Sequence, residues 1–189
     1  MSESGAPFLG MPDDVARLGV QRLMTCDLRS RAHARLATRW ERVETWLSAV
    51  TAIAASVAAV SYLATGALGV AFSVVVAVLV PLQRSLGAGG RATDNARAAT
   101  LFGALADSYE RYLQLDIGPI AWRKAPQNLD NVRRHLDKLD EQVSEALGRA
   151  PRVTFAGAEK TATEARAAHL IEYLSMPNVV QPPHSAWER

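Results

Sequence analysis

The stretch that decides the fold runs from Thr45 to Gln83 and reads TWLSAVTAIAASVAAVSYLATGALGVAFSVVVAVLVPLQ. It holds no Asp, Glu, Lys, Arg or His over 39 residues, whereas charged residues make up 21% of the whole chain. As a single helix it would be roughly 58 Å long, about twice the hydrocarbon thickness of a bilayer. The sequence therefore predicts two consecutive spans joined by a turn.

Two glycines near the midpoint, Gly66 and Gly69, supply the permissive backbone that such a turn needs. We place the two spans at about 46–64 and 68–82. The second is rich in valine, which in water favours a strand, but an unpaired strand in lipid would leave its backbone groups unsatisfied. Both spans are therefore expected to be helical, and Pro81 is expected to end the second.

Charge placement predicts the orientation of this hairpin. Five arginines lie between Arg29 and Arg42 and three more follow the second span, whereas the loop between the spans carries no charge. By the positive-inside rule we expect an inner-membrane protein with both termini cytoplasmic. The uncharged run begins too far along the chain for a cleaved secretory signal, so we expect none. A soluble bundle that buries the hairpin is the alternative; the length of the uncharged run favours the membrane.

The segments beside the hairpin have helical periodicity. Residues 1–12 have the composition of a flexible tail, and Asp13 follows Pro12 as a helix start. We expect that helix to continue unbroken into the first span. Thr93-Asp94 is predicted to cap another helix that ends near Leu115. Leu18 and Leu23 of the first helix are expected beside Phe102 to Tyr109 of the other, so that residues 13–116 form one module with a cytosolic stalk.

Small residues recur every fourth position on both spans, and small-xxx-small ridges let helices approach closely. They pack helices within the hairpin or between copies, or their hydroxyls face water in a pore; the sequence leaves these alternatives open. A pore would require several copies of the chain, hence a homo-oligomer in contact with membrane lipid. The candidate pore-lining or hairpin-packing residues are Ser48, Thr51, Ser56, Gly69, Ser73 and Ala77.

A glycine cluster follows the second span and contains Gly87, Gly89 and Gly90. It lacks the Lys-Ser or Lys-Thr pair that a Walker-type phosphate loop places on a nucleotide. We interpret the cluster as a hinge between the hairpin and the following helix.

The order of these features resembles a known family. Arg39-Trp40 closes an arginine-rich helix, the uncharged hairpin follows, and Gln83-Arg84 leads to Ala96-Arg97-Ala98-Ala99 and then to Tyr109-Glu110-Arg111-Tyr112. Over residues 28–116 this layout resembles the SLATT family, two-transmembrane effectors associated with bacterial nucleotide-signalled conflict systems. The resemblance implies a pore-forming effector that permeabilises the host cell's own membrane during antiviral defence or abortive infection. It implies a nucleotide signal or a sensor protein as the trigger, and it offers no catalytic residue.

The rest of the chain, residues 117–175, is predicted to be a separate helical region, followed by a flexible tail at 176–189. Ile117-Gly118-Pro119 breaks the preceding helix. A heptad seam then serves either oligomerisation or packing within the chain. Its residues are Leu129, Val132, Leu136, Leu139, Val143 and Ala146. A last amphipathic helix, Glu159 to Ser175, is expected to present an apolar face of Ala162, Ala165, Ala168, Ile171 and Leu174.

Residues that carry chemistry are sparse. The four histidines are isolated, the single Cys26 excludes an intramolecular disulfide, and Asp137, Asp140 and Glu141 are interpreted as a solvated helix face. We therefore expect no enzyme, metal or cofactor. Nucleic acid is not expected as a partner, because the arginine stripe lacks interleaved aromatics. The sequence thus predicts an all-α fold and a membrane effector, with a membrane anchor or scaffold that recruits a cytosolic partner as the alternative.

Overall fold

The computed structural model describes residues 13–64, 67–117 and 129–175. Across these residues the chain is all-α, as the sequence predicts. The helices are α1 (Asp13–Ala64), α2 (Ala67–Leu86), α3 (Ala88–Arg111) with a π-helical turn at Tyr112–Asp116, α4 (Leu129–Arg149) and α5 (Gly157–Ser175). The two predicted tails, 1–12 and 176–189, the Thr65-Gly66 part of the hairpin turn and the break at Gly118-Pro119 lie outside the described residues.

The chain divides into two compact units. The hairpin unit is His33–Ala99. The bundle unit consists of the described residues of Met1–Ala32 and Thr100–Arg189. Helices α1 and α3 each begin in one unit and end in the other, so two long helices contribute to both.

Helix α1 runs for 52 residues without interruption. It starts at Asp13, as predicted, and it contains no proline and no glycine after Gly19. Proline removes a backbone donor and glycine lowers helix propensity, so their absence allows a helix of this length. The prediction that the helix preceding the first span continues into it unbroken is confirmed.

Two expected helix boundaries are wrong. Pro81 lies inside α2, which continues to Leu86; an interior proline costs one backbone hydrogen bond but the following turns still form, as in many membrane helices. Helix α3 begins at Ala88 rather than at Thr93, whose hydroxyl donates back to the carbonyl of Gly89 at 2.9 Å instead of capping a helix start. The interruption between α2 and α3 is the single residue Gly87, whose φ of 55° suits glycine.

In the hairpin unit, α1 runs antiparallel to α2 and α3. Ser48 accepts a hydrogen bond from Gln83 at 2.9 Å, the Arg91 guanidinium lies 4.8 Å from the Trp40 ring centroid, and His33 bonds Asn95 at 2.9 Å. The residue numbers of the α1 partners fall as those of the α2 and α3 partners rise, which is the pattern of antiparallel helices. The buried or half-buried positions of the seam are Leu47, Thr51, Ala54, Val57, Ala58 and Ser61 on α1, with Gly69, Phe72, Val76, Leu79 and Gln83 on α2.

In the bundle unit, α1, α3 and α4 share an apolar core. Its largest fully buried side chains include Leu23, Phe102, Tyr109 and Tyr112. Leu23 thus lies in the same core as Phe102 and Tyr109, while Leu18 is exposed. The heptad positions of α4 are buried within this chain, with Leu129 half-buried, so the seam packs intramolecularly.

The buried face of α5 differs from the predicted one. Leu174 is buried as expected and Ala162 is half-buried, but Ala165, Ala168 and Ile171 are exposed. The residues that are buried on this helix are Glu159, Thr163, Ala167, Leu170 and Leu174. Hydropathy alone selects the alanine stripe. The actual face includes Thr163, which is buried because its hydroxyl has a carboxylate partner on α1.

Candidate functional site: an exposed apolar hairpin and a buried ion cluster

The surface of the hairpin unit is apolar along both helices. Trp46 is 72% exposed and Val74 is 58% exposed, and both lie in the uncharged run. Other exposed large apolar residues there are Val50, Ile53, Val60, Val70, Val75, Val78 and Leu82. In each of the two candidate spans only 6% of the most apolar window is buried, whereas the core helix of a soluble protein is mostly buried. Both helices are long and apolar enough to cross a membrane, and the residues that the structure describes leave them largely uncovered.

The dimensions of the hairpin fit a bilayer. Residues 45–64 of α1 are roughly 30 Å long and residues 67–83 of α2 roughly 25 Å, against a hydrocarbon thickness of about 30 Å. Glu44 and Arg84 are the charged residues that flank this uncharged part. Trp46, two residues after Glu44 in the sequence, is exposed, and aromatic side chains favour the interface between lipid and water.

Three hydroxyls of the hairpin donate to carbonyls of their own helices. Thr51 donates to the carbonyl of Leu47 at 2.8 Å, and Ser56 donates to that of Ala52 at 2.9 Å. Ser73 donates to the carbonyl of Gly69 at 2.8 Å. A hydroxyl bonded in this way carries little desolvation cost when it faces lipid.

Some residues of the predicted small-residue ridges lie in the seam between α1 and α2, and others are exposed. Gly69 is buried and Thr51 is half-buried, so both belong to the seam between α1 and α2. Ser56, Ser73 and Ala77 are exposed, so they do not form the packing core of their own hairpin. Ser48 is also exposed, but its hydroxyl bonds Gln83 across the seam. Ala54 and Ala58 fill that core instead, and sequence reasoning missed them. Their alternating spacing of three and four with Leu47 and Thr51 was the available signal.

The predicted hinge glycines line a cleft of about 380 Å³ at the charged end of the hairpin. Its walls are Glu44, Val80, Gln83, Arg84 and residues 87–90. A Cβ on Gly89 would lie 2.5 Å from Oε1 of Glu44. Because glycine has no Cβ, the Glu44 carboxylate can lie against the first turn of α3. A negative charge is favourable there because the helix dipole is positive at its N-terminus. Gly90 has open space around it, and Gly87 is the break itself.

A buried polar pair joins α1 to α3 in the hairpin unit. His33 and Asn95 are both buried, and His33 Nδ1 lies 2.9 Å from Asn95 Oδ1. The Asn95 amide donates from Nδ2 to the Arg91 carbonyl at 2.7 Å, which fixes its orientation. Since Oδ1 can only accept, His33 Nδ1 carries the proton. The pair therefore fixes the register of the two helices.

In the bundle unit, a buried carboxylate collects three donors. Asp27 is 4% exposed and accepts hydrogen bonds of 2.7 Å from Arg31 Nε, Thr163 Oγ1 and Arg166 Nη1. Burial raises the pKa of this carboxyl, but the hydrogen bonds from Arg31, Thr163 and Arg166 lower it by more. The net pKa of Asp27 lies below its ordinary value, so the carboxylate is ionised at neutral pH.

Arg166 is the centre of this ion cluster. Besides Asp27, its guanidinium donates to Asp107 at 2.8 Å and from Nε to Glu110 at 3.1 Å. Burial lowers the pKa of Arg166, yet the hydrogen bonds to Asp107, Glu110 and Asp27 raise it above its ordinary value. One side chain on α5 thereby binds carboxylates on both α1 and α3. We call Arg166 with Asp27, Asp107, Glu110 and Thr163 the α5 cluster.

A second cluster fastens α4. Asp140 accepts a 2.5 Å hydrogen bond from the Tyr109 hydroxyl on α3 and a 3.0 Å hydrogen bond from Arg22 on α1. Burial, followed by the hydrogen bond to Asp140, raises the pKa of Tyr109 above its ordinary range. The interpretation of Asp140 as part of a solvated face is therefore wrong. Its side chain lies at the edge of the apolar seam and joins three helices.

These two clusters join helices rather than line an open cleft. Burial, opposed by Arg22 and Arg29, raises the pKa of the Cys26 thiol to about 12, so this thiol is a poor nucleophile at neutral pH. Among the described residues, no group of three His, Cys, Asp or Glu side chains is placed to hold a metal ion. The arrangement positions α4 and α5 on α1 and α3.

Comparison with protein-family models, with curated proteins and with solved structures finds no match for this chain. The resemblance to the SLATT family therefore stays a prediction from the order of the sequence features.

Proposed function

We propose that this chain is a membrane effector whose hairpins insert into the bacterial inner membrane, assemble, and permeabilise it when triggered. The observation that carries the proposal is the outward-facing apolar surface of α1 and α2, of whose apolar windows only 6% is buried. In water this surface would aggregate or require a partner, and in lipid it is stable without one.

Assembly is the second step of the proposal. Two helices cannot enclose a path for ions, so several copies are required. The exposed small residues Ser56, Ser73 and Ala77 support it, since small residues allow close approach between helices of neighbouring copies. Because the seam inside the hairpin uses Ala54 and Ala58, these residues stay available for contacts between copies.

The antiviral setting and the trigger come from the resemblance to SLATT effectors. Under the positive-inside rule the arginines beside the hairpin place both termini in the cytoplasm. The bundle unit would then face the cytosol, where it can receive a nucleotide signal or a sensor protein.

A membrane anchor or scaffold is the second candidate. The observation in its favour is that the hydroxyls of Ser56 and Ser73 are bonded to carbonyls of their own helices and so need no water-filled path. In this case the hairpin holds the bundle unit at the membrane, and the bundle recruits a cytosolic partner.

Membrane potential in bacteria that express the chain separates the two candidates. We expect depolarisation and entry of a membrane-impermeant dye once the trigger is present, with the protein recovered in the membrane fraction. Ser56→Leu and Ser73→Leu should abolish the leak without changing fractionation, because leucine at these positions prevents the close approach of neighbouring copies that the pore requires. Val78→Leu, on an exposed apolar position, is the matched control and should leave the leak intact. A protein that is inserted and triggered in cells with a normal potential would refute the effector proposal and leave the anchor.

A further inference from the structure

Helices α4 and α5 are held on the bundle unit by different kinds of contact. The buried face of α4 is wholly apolar: Val132, Leu136, Leu139, Val143 and Ala146. The buried face of α5 begins with two polar residues, Glu159 and Thr163, and only then continues with Ala167, Leu170 and Leu174. Among the α5 side chains whose burial is described, fewer large apolar ones are buried than on α4, so polar contacts carry more of the attachment of α5.

Those polar contacts converge on one turn of α5. Thr163 and Arg166 lie three residues apart on the same side, and both donate to Asp27. Arg166 also reaches Asp107 and Glu110. If Arg166 separated from the cluster, Asp27 would keep its ion pair with Arg31. Asp107 and Glu110 would lose the guanidinium that binds them. The polar attachment of α5 thus depends on one guanidinium that three carboxylates share.

Part of this attachment is open to solvent. The side chain of Asp107 is 58% exposed and that of Arg166 28% exposed. Ion pairs at such exposure weaken as salt screens them, whereas apolar contacts do not. Helix α4 also has an ion pair, between Arg22 and Asp140, but it buries a full apolar seam as well. Salt should therefore weaken the attachment of α5 more than that of α4.

A connection without regular secondary structure precedes α5. Residues 150–156 between the helices form no helix or strand and include Pro151. Its contacts include Phe155 at 5.9 Å from the Arg29 guanidinium and the Ala156 amide, which donates to Glu159 at 2.8 Å. Helix α5 is therefore not a continuation of α4.

We propose that α5 is a releasable clasp of the bundle unit, which opens by separation of Arg166 from Asp27, Asp107 and Glu110 while α4 stays in place. Opening uncovers the faces of α1 and α3 that carry these carboxylates. The clasp concerns the bundle unit alone. It holds whether or not the hairpin permeabilises a membrane.

Hydrogen exchange of the full chain in lipid nanodiscs tests the clasp. Backbone amides of α5 should exchange at least about tenfold faster than those in the middle of α4, because a locally opening element exchanges without global unfolding. Raising NaCl from 0.1 to 1 M should accelerate exchange in α5 by several fold and in the middle of α4 by clearly less. Equal exchange in both helices, or no response of α5 to salt, overturns the proposal.

Variants of one side chain identify the attachment point. Arg166→Gln should accelerate exchange in α5 by about a further tenfold. Arg166→Lys should give an intermediate rate, since lysine keeps the charge but lacks the planar guanidinium that donates to several carboxylates at once. Lys160→Gln removes the same charge from an exposed position of the same helix and should have no effect. If Lys160→Gln matches Arg166→Gln, general charge and not the α5 cluster controls the helix.

The single thiol distinguishes opening from unfolding. Cys26 is fully buried, and Asp140 on α4 is among the charges that act on it. In Arg166→Gln we expect Cys26 to stay protected from a thiol reagent while α5 exchanges rapidly. Loss of thiol protection in parallel with α5 exchange would mean that the bundle unit unfolds as a whole, and it would refute a separate clasp.

Discussion

Nη1 of Arg166 donates a hydrogen bond of 2.7 Å to Oδ1 of Asp27, although 139 residues separate them in the chain. The chain passes through the whole hairpin unit before it returns to form this contact. Asp27 is buried beneath α5, and Arg166 also forms ion pairs with two carboxylates of α3, those of Asp107 and Glu110. This pair therefore links the beginning and the end of the described chain within the bundle unit.

Asp27→Asn should destabilise the bundle unit by about 1.5 to 3 kcal/mol, because hydrogen bonds to a buried charged group are worth that much. Denaturant unfolding followed by exposure of the Cys26 thiol measures the change. Asp107→Asn is the control. Its side chain is 58% exposed, so its loss should cost less than about 1 kcal/mol. Equal losses of unfolding free energy in the two variants would mean that the buried carboxylate contributes no more stability than the exposed one.

The pKa of Asp27 makes the bundle unit sensitive to acid. The folded-state pKa is below the ordinary value of 3.8, so the ionised group contributes stability above that pH, and the contribution is lost as pH falls through the folded pKa. The stability difference between the native chain and Asp27→Asn should therefore be constant near neutrality and shrink below pH 3.8. Unfolding free energies measured at several pH values test this. A difference that grows on acidification would contradict the assigned direction.

The thiol of Cys26 should be almost unreactive in the folded protein. Its pKa is raised to about 12 by burial, which leaves roughly a thousandfold less thiolate at pH 8 than an ordinary cysteine has. We expect no reaction with a disulfide reagent until denaturant is added, and then one equivalent. By the same linkage this thiol contributes stability below its ordinary pKa of 9.0, and the contribution is lost as pH rises toward 12. Rapid stoichiometric reaction without denaturant would show that Cys26 is accessible.

Alanine substitutions in the glycine cluster should have opposite signs. Gly87→Ala should cost about 1 to 2 kcal/mol because its φ is 55°. Gly90→Ala should stabilise by about 0.5 to 1 kcal/mol, since it is helical and a Cβ there meets open space. Gly89→Ala should gain less, because its Cβ displaces the flexible Glu44 carboxylate. Thermal denaturation in one detergent compares the three, and a uniform response would contradict the distinct environments.

A lysine on the surface of the hairpin tests insertion directly. Val74 is 58% exposed, so Val74→Lys should be nearly neutral for a hairpin in water. Near the middle of a membrane span, a lysine at this position should cost about 2.5 to 3.5 kcal/mol of insertion free energy. We therefore expect less Val74→Lys protein in the membrane fraction after carbonate extraction. Ser108→Lys on α3, outside the uncharged run, is the control. Wild-type recovery of Val74→Lys in the membrane would argue against a lipid-facing position.

Features that depend on neighbours in sequence were predictable. The uncharged run specified the hairpin, Asp13 marked the start of α1, and the a/d spacing of Val132 and Leu136 selected the buried face of α4. Each depends on local backbone preference or on helical periodicity, which are properties of the sequence itself. Pro81 was misjudged because one missing hydrogen bond does not stop a helix whose remaining turns are intact.

The sequence by itself determined that this chain is helical, where its apolar hairpin lies and which side of α4 is buried. Only the tertiary structure decided that Ala54 and Ala58 pack the hairpin, that Asp140 receives Tyr109, and that Thr163 and Arg166 bind Asp27. Those contacts depend on the register between helices far apart in the chain. Their residues look like ordinary surface or small positions until packing places a partner opposite them.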